Sequence, residues 1–100
     1  MDQDKQLLAV ASEAQSRIDD ALRRMAPSEI EGTEFDQAGL RDGLKIVGDF
    51  LRVGEFGVAF DHVLYMVNET HLSLTSSSVL FLDRTAAALG LPAPRIPVTH

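Results

Sequence analysis

Apolar residues along this chain recur at spacings of three and four, which is the period of an amphipathic helix. Four segments carry the pattern and predict helices over about residues 4–25, 34–53, 55–70 and 76–89. Between them there is no alternating stretch that would form a pair of strands. The pattern therefore predicts an all-α fold, a small four-helix bundle-like domain over residues 1–91.

Proline and glycine set the limits of the first two predicted helices. Pro27 cannot continue the first helix, so that helix is expected to end near residue 25. Thr33 is a suitable N-cap for the second helix, although a later start near Ala38 is the alternative. Gly43 and Gly48 are unfavourable inside a helix, and close approach of a neighbouring helix would explain them.

Gly54 is expected to end the second helix in a left-handed conformation, so that the second and third helices form an antiparallel hairpin. The third helix is apolar on most sides, which predicts a central position in the bundle. Thr75 is the expected N-cap of the fourth helix, and Gly90 its C-cap.

The fourth helix has an apolar stripe that is expected to point inward. Its members are Val79, Leu82, Ala86 and Leu89. Leu80 and Phe81 do not fit the stripe, so they either cover a neighbouring helix or belong to an interface. Residues 92–100 hold three prolines and are expected to form an extended tail.

Composition narrows the class of protein. A chain of 100 residues with 45% hydrophobic residues suits one globular domain, and the absence of cysteine excludes disulfides and thiolate chemistry. The net charge of −6 and the acidic N-terminus argue against a nucleic-acid binder and a secretory signal. The densest basic spot, Arg23-Arg24, stands beside Asp20. We expect a soluble cytoplasmic protein that contacts neither nucleic acid nor membrane.

The search for catalytic chemistry returns only residues with ordinary structural explanations. His62 could join Asp61 and Glu69 at a metal, but no short zinc motif is present and a helix-surface histidine is the expected interpretation. The serines at 73 and 76–78 lack a nucleophile-elbow motif, and the glycines form no phosphate-binding loop. We therefore predict no catalytic, cofactor or metal site, and a protein that is not an enzyme.

Acidic residues are most concentrated between the first two predicted helices. They are Glu29, Glu31, Glu34, Asp36 and Asp42. A solvated acidic loop is the ordinary interpretation of such a cluster. The functional interpretation is a surface that contacts a basic protein partner.

The segment that follows the predicted Gly54 turn resembles a known family. Gly54-Glu55-Phe56-Gly57-Val58-Ala59, followed by Phe60 and Asp61, is similar to the Gly-Glu-aromatic-Gly-Leu-Ala-Leu-Glu motif of the MafI-type immunity proteins of bacterial polymorphic-toxin systems. The resemblance covers about residues 40–91. Phe60 and Asp61 depart from the usual Leu and Glu, and the first helix and the tail have no counterpart.

This resemblance implies a cytoplasmic, non-catalytic protein that binds and neutralises a cognate bacterial toxin. Many such toxins carry basic active surfaces, and an acidic inhibitor associates quickly with a basic surface. The alternative is a homo-oligomeric helical interaction domain, such as a homodimer, without a toxin partner.

Overall fold

The computed structural model describes residues 2–33 and 38–99. Over these residues the chain forms α1 (Gln3–Arg23), α2 (Pro27–Ile30), α3 (Gly43–Arg52), α4 (Phe56–Thr70) and α5 (Ser76–Ala88). An isolated parallel bridge joins Leu74 to Val98. The predicted all-α fold is confirmed.

The predicted starting residue of the second helix is wrong. Its helix, α3, starts at Gly43, later than both residue 34 and the alternative near Ala38. Gly39 has a φ of +84°, a left-handed conformation that a right-handed helix cannot contain. Thr33, the expected cap, instead donates its hydroxyl to the Ile30 carbonyl at 2.6 Å.

The connector between the first two predicted helices contains the short helix α2. Pro27 occupies its first turn, where the missing N–H costs no hydrogen bond. The Glu29 carboxylate accepts a hydrogen bond from the Ala26 N–H at 3.0 Å. Ile30 is buried and ties this connector to the bundle.

Helices α1, α3 and α4 pack on one another pairwise, while the α5 backbone lies farther from all three. Both α1 and α3 contact α4, whose buried side chains include Phe60, Val63 and Met66. Gly43 makes this packing close, because a Cβ atom there would lie 2.5 Å from the Met66 sulfur. The predicted role of Gly43 in close helix approach is confirmed.

The turn at Gly54 has the predicted left-handed conformation, with a φ of +78°. The Gly54 N–H donates to the Leu51 carbonyl, and the Glu55 N–H donates to the Phe50 carbonyl. This pair of bonds is the Schellman arrangement, which satisfies the last carbonyls of α3 and reverses the chain into α4.

The C-terminal part of the chain is attached to the loop before α5. Gly90 ends α5 with a φ of +72°, as predicted, but Leu89 is 44% exposed, so its predicted inward position is wrong. The extended tail then returns to Leu74 and buries Ile96.

Candidate partner surfaces

A buried glutamine of α1 supplies the cap that α3 lacks. The N-cap residue of α3, Asp42, makes no side-chain cap hydrogen bond. Instead, the Gln15 Oε1 atom accepts from the Leu44 N–H at 2.9 Å, and its Nε2 donates to the Leu40 carbonyl at 2.9 Å. Gln15 is only 7% exposed. Its spacing of four from Ala11 and three from Ile18 places Gln15 among the buried apolar positions of α1, which is a sign in the sequence that this polar residue is buried.

A glutamate of α1 holds the N-terminus of α5 in the same manner. The Glu13 carboxylate accepts from the Thr75 N–H at 2.7 Å, and from the Thr75 and Ser78 hydroxyls at 2.8 Å each. Arg17 lies 3.4 Å from the same carboxylate. Thr75 is the N-cap residue, as predicted, but its hydroxyl donates to Glu13 and makes no cap bond to its own helix.

The surroundings of Glu13 favour its charged form. Burial raises the pKa of this carboxyl, but the bonds from Thr75 and Ser78 and the charge of Arg17 lower it by more. The pKa therefore lies below its ordinary value of 4.5. The carboxylate is a structural anion that stabilises the start of α5.

His62 and Tyr65 hold the turn before α3 against α4. The Nε2 atom of His62 lies 3.1 Å from the Gly39 carbonyl oxygen, and the Tyr65 hydroxyl donates to the Ala38 carbonyl at 2.7 Å. This contact gives His62 a structural role. In the described part of the chain, no group of three metal-ligating side chains comes together, so Asp61 and Glu69 do not complete a site with it.

Surface charges on α1 and α3 pair within their own helices. Asp20 contacts both Arg23 and Arg24, and these side chains lower the pKa of Asp20. Asp49 likewise contacts Lys45 and Arg52, and the hydrogen bond from Lys45 is the main cause of its lowered pKa. Asp20 therefore neutralises part of the positive charge of the Arg23-Arg24 spot.

The residues that carry the family resemblance lie at an exposed turn. Val53 is 71% exposed and Val58 is 43% exposed, on either side of Gly54. A Cβ atom at Gly57 would meet nothing within 4 Å, so packing does not require glycine there. Ala59, two residues farther along the motif, is by contrast fully buried.

The register of the helices places two more exposed leucines at the same end of the bundle. The start of α3 lies near Gln15, and Gly48 lies near Leu8, so α3 runs antiparallel to α1. The turn at Gly54, which follows α3, therefore lies level with the N-terminus of α1. The C-terminal end of α5 also reaches this level, because Ala88 and Gln3 line one groove. We call this region the hairpin end, and its exposed apolar residues are Val53, Val58, Leu89 and Leu91.

The candidate acidic residues that the structure describes lie away from the hairpin end. Glu29, Glu31 and Asp42 are exposed, whereas Glu34 and Asp36 lie outside the described residues. Asp42 begins α3 near Gln15, which is about 20 Å along α1 from the level of Gly54 at 1.5 Å per residue. The acidic residues and the family-like motif therefore do not form one compact site.

An open groove runs between α1 and α5. It has a volume of about 310 Å³, and its lining includes Gln3, Gln6, Leu80, Phe81 and Arg84. Leu80 is 48% exposed and Phe81 is partly buried. These two side chains, which the helical stripe did not explain, thus face a groove between helices.

None of the described helices is long and apolar enough to cross a membrane. No family model matches the chain, and neither does any curated protein or solved structure. The fold and the surfaces are therefore interpreted from this chain's own residues.

Proposed function

We propose that this protein is a non-catalytic immunity protein that acts in the cytoplasm by binding a cognate toxin through its hairpin end. The observation that carries the proposal is the exposure of Val53 and Val58 around the Gly54 turn. Val53 immediately precedes the motif that resembles MafI-type immunity proteins, and Val58 belongs to it. An exposed apolar group beside a rigid turn is suited to filling a pocket in a partner.

Gly57 supports a binding role for the same turn. Glycine is less favourable in a helix than alanine by up to about 1 kcal/mol. Because no described residue comes within 4 Å of a Cβ atom built there, no packing among the described residues requires glycine. Close approach of a partner to the backbone is a reason for glycine at this position.

The acidic residues have a separate part in this proposal. Glu29, Glu31 and Asp42 add to a net charge of −6, which would attract a basic toxin surface at long range. Such charges mainly raise the association rate, whereas buried apolar anchors slow dissociation. The distance between the acidic residues and the hairpin end is compatible with this division.

The test first asks whether a toxin is encoded beside the gene of this protein, and then measures binding to that toxin and protection against it; absence of a toxin gene there would refute the proposal. Val53→Asp should raise the dissociation rate at least about tenfold and abolish protection of cells that express the toxin. Glu31→Lys should instead lower the association rate, and the effect should fade at high salt. Equal binding by wild type and Val53→Asp, or no protection by wild type, would refute the proposal.

A second candidate is a homo-oligomeric interaction domain, which the exposed Leu80 of the α1–α5 groove favours. Leu80→Asp adds the same charge as Val53→Asp on another face, so it is the matched control. If the protein self-associates through this groove, light scattering should show an oligomer that Leu80→Asp dissociates. A monomer at every concentration would exclude this candidate.

A further inference from the structure

The C-terminal segment closes on itself. The Leu74 N–H donates to the Pro97 carbonyl at 2.9 Å, and the Thr99 N–H donates to the Leu74 carbonyl at 2.7 Å. The hydroxyls of Ser73 and Thr99 lie 2.6 Å apart. Residues 74–99 thus form a closed lobe that contains α5, and these hydrogen bonds hold the two ends of the lobe together. We call this segment the C-terminal lobe.

The C-terminal lobe is attached to α1 unevenly. At the start of α5, Glu13 receives three hydrogen bonds from Thr75 and Ser78. Farther along α5, the groove of about 310 Å³ separates it from α1. The α5 backbone also stays farther from α1, α3 and α4 than these helices stay from one another. The polar attachment is therefore at one end of the lobe. Farther along α5 one side borders the groove, while Leu82 and Ala86 are fully buried in the core that α1, α3 and α4 share.

We infer that the C-terminal lobe unfolds as a unit while α1, α3 and α4 stay folded, and that Glu13 is the latch that holds the lobe in place. Segments with fewer close contacts open locally at lower free energy than the rest of a protein. When the latch releases, the unfolding lobe uncovers Val10, which lines a neighbouring pocket together with Phe81, and the buried side chains of Leu82 and Ala86 leave the core. The same motion moves Leu89 and Leu91 relative to the Gly54 turn. The inference stands independently of the proposed toxin partner.

Hydrogen exchange followed residue by residue tests the latch. Glu13→Gln keeps the shape of the side chain but removes its charge and one acceptor oxygen. Loss of hydrogen bonds to a charged group should accelerate exchange in residues 79–91 by roughly ten- to hundredfold. The amides of Leu74 and Thr99 should follow the same opening, while those of α3 and α4 keep their wild-type rates.

Two further proteins make the result decisive. Ser78→Ala removes one donor and leaves the carboxylate, so it should accelerate the same amides by a smaller factor. Asp49→Asn neutralises an exposed carboxylate on α3 and should leave α5 exchange unchanged. If Glu13→Gln accelerates amide exchange equally in all helices, or leaves amide exchange in α5 unchanged, the inference is overturned. In the wild type, an equal free energy of opening for the amides of α5 and of α4 would also overturn it.

Discussion

Replacing Gln15 by methionine should destabilise this protein far more than an ordinary polar substitution on a helix. Methionine has a similar length and preserves the packing of this buried position, but it removes both the amide donor and the carbonyl acceptor. The Leu40 carbonyl and the Leu44 N–H then lose their partner. The start of α3 would be left without the cap that α1 provides.

The size of the effect follows from the two backbone groups. A buried donor or acceptor that loses its partner costs about 1–3 kcal/mol. The Leu40 bond is buried and the Leu44 bond is partly buried, so water can compensate only at Leu44. We expect a loss of about 2–4 kcal/mol, from a total stability on the order of 5–10 kcal/mol. For a domain of this size the melting temperature should fall by roughly 10–25 °C.

Chemical denaturation of wild type, Gln15→Met and Gln3→Met measures this effect. Gln3 is an exposed residue of the same helix, so its replacement should change stability by less than about 0.5 kcal/mol. Near-equal stability of Gln15→Met and Gln3→Met would refute the capping role.

Three other predictions concern the latch and the turn. Because the pKa of Glu13 is lowered in the folded protein, the stability that Glu13 contributes is present above about pH 4.5 and is lost as pH falls through the folded-state pKa. Denaturation midpoints measured between pH 6 and 3 should therefore fall less steeply in Glu13→Gln than in the wild type. Parallel curves for the two proteins would contradict this. Gly54→Ala should cost about 1–2 kcal/mol in urea unfolding, because alanine is strained at a φ of +78°; no loss would show that the turn rearranges. Gly57→Ala should raise stability by about 0.5 kcal/mol, since space is open around it, and a thermal melt below that of wild type would exclude this reasoning.

The sequence predicted those features that depend on local backbone chemistry. Gly54 and Gly90 were expected to adopt left-handed conformations, and both do. Thr75 was correctly placed at the start of α5. In each case the turn depends on neighbouring residues, so the sequence pattern contains enough information to locate it.

The features that were missed depend on contacts between distant segments. Gln15 and Glu13 are polar residues of α1 that cap two other helices. Their partners lie 29 and 62 residues away, and helical periodicity contains no information about such pairs. The late start of α3 has a similar origin, because Gly39 is held in its turn by contact with His62.

The candidate site was predictable only in part. The motif around Gly54 was identified from its residues, but its exposure is visible only in the three-dimensional structure. Leu89 was expected in the core because it continues a helical stripe, but α5 ends there and the side chain is exposed. The acidic residues were grouped by sequence proximity, which did not reveal their distance from the turn.

The most direct test of the central claim uses the toxin that the proposal expects to be encoded beside this gene, and measures its dissociation rate from three purified proteins by surface-based binding kinetics. Wild type and Leu80→Asp should release the toxin at the same slow rate. Val53→Asp should release it at least about tenfold faster. Equal rates for Val53→Asp and wild type, with Leu80→Asp the faster variant, would contradict binding through the hairpin end and move the partner surface to the α1–α5 groove.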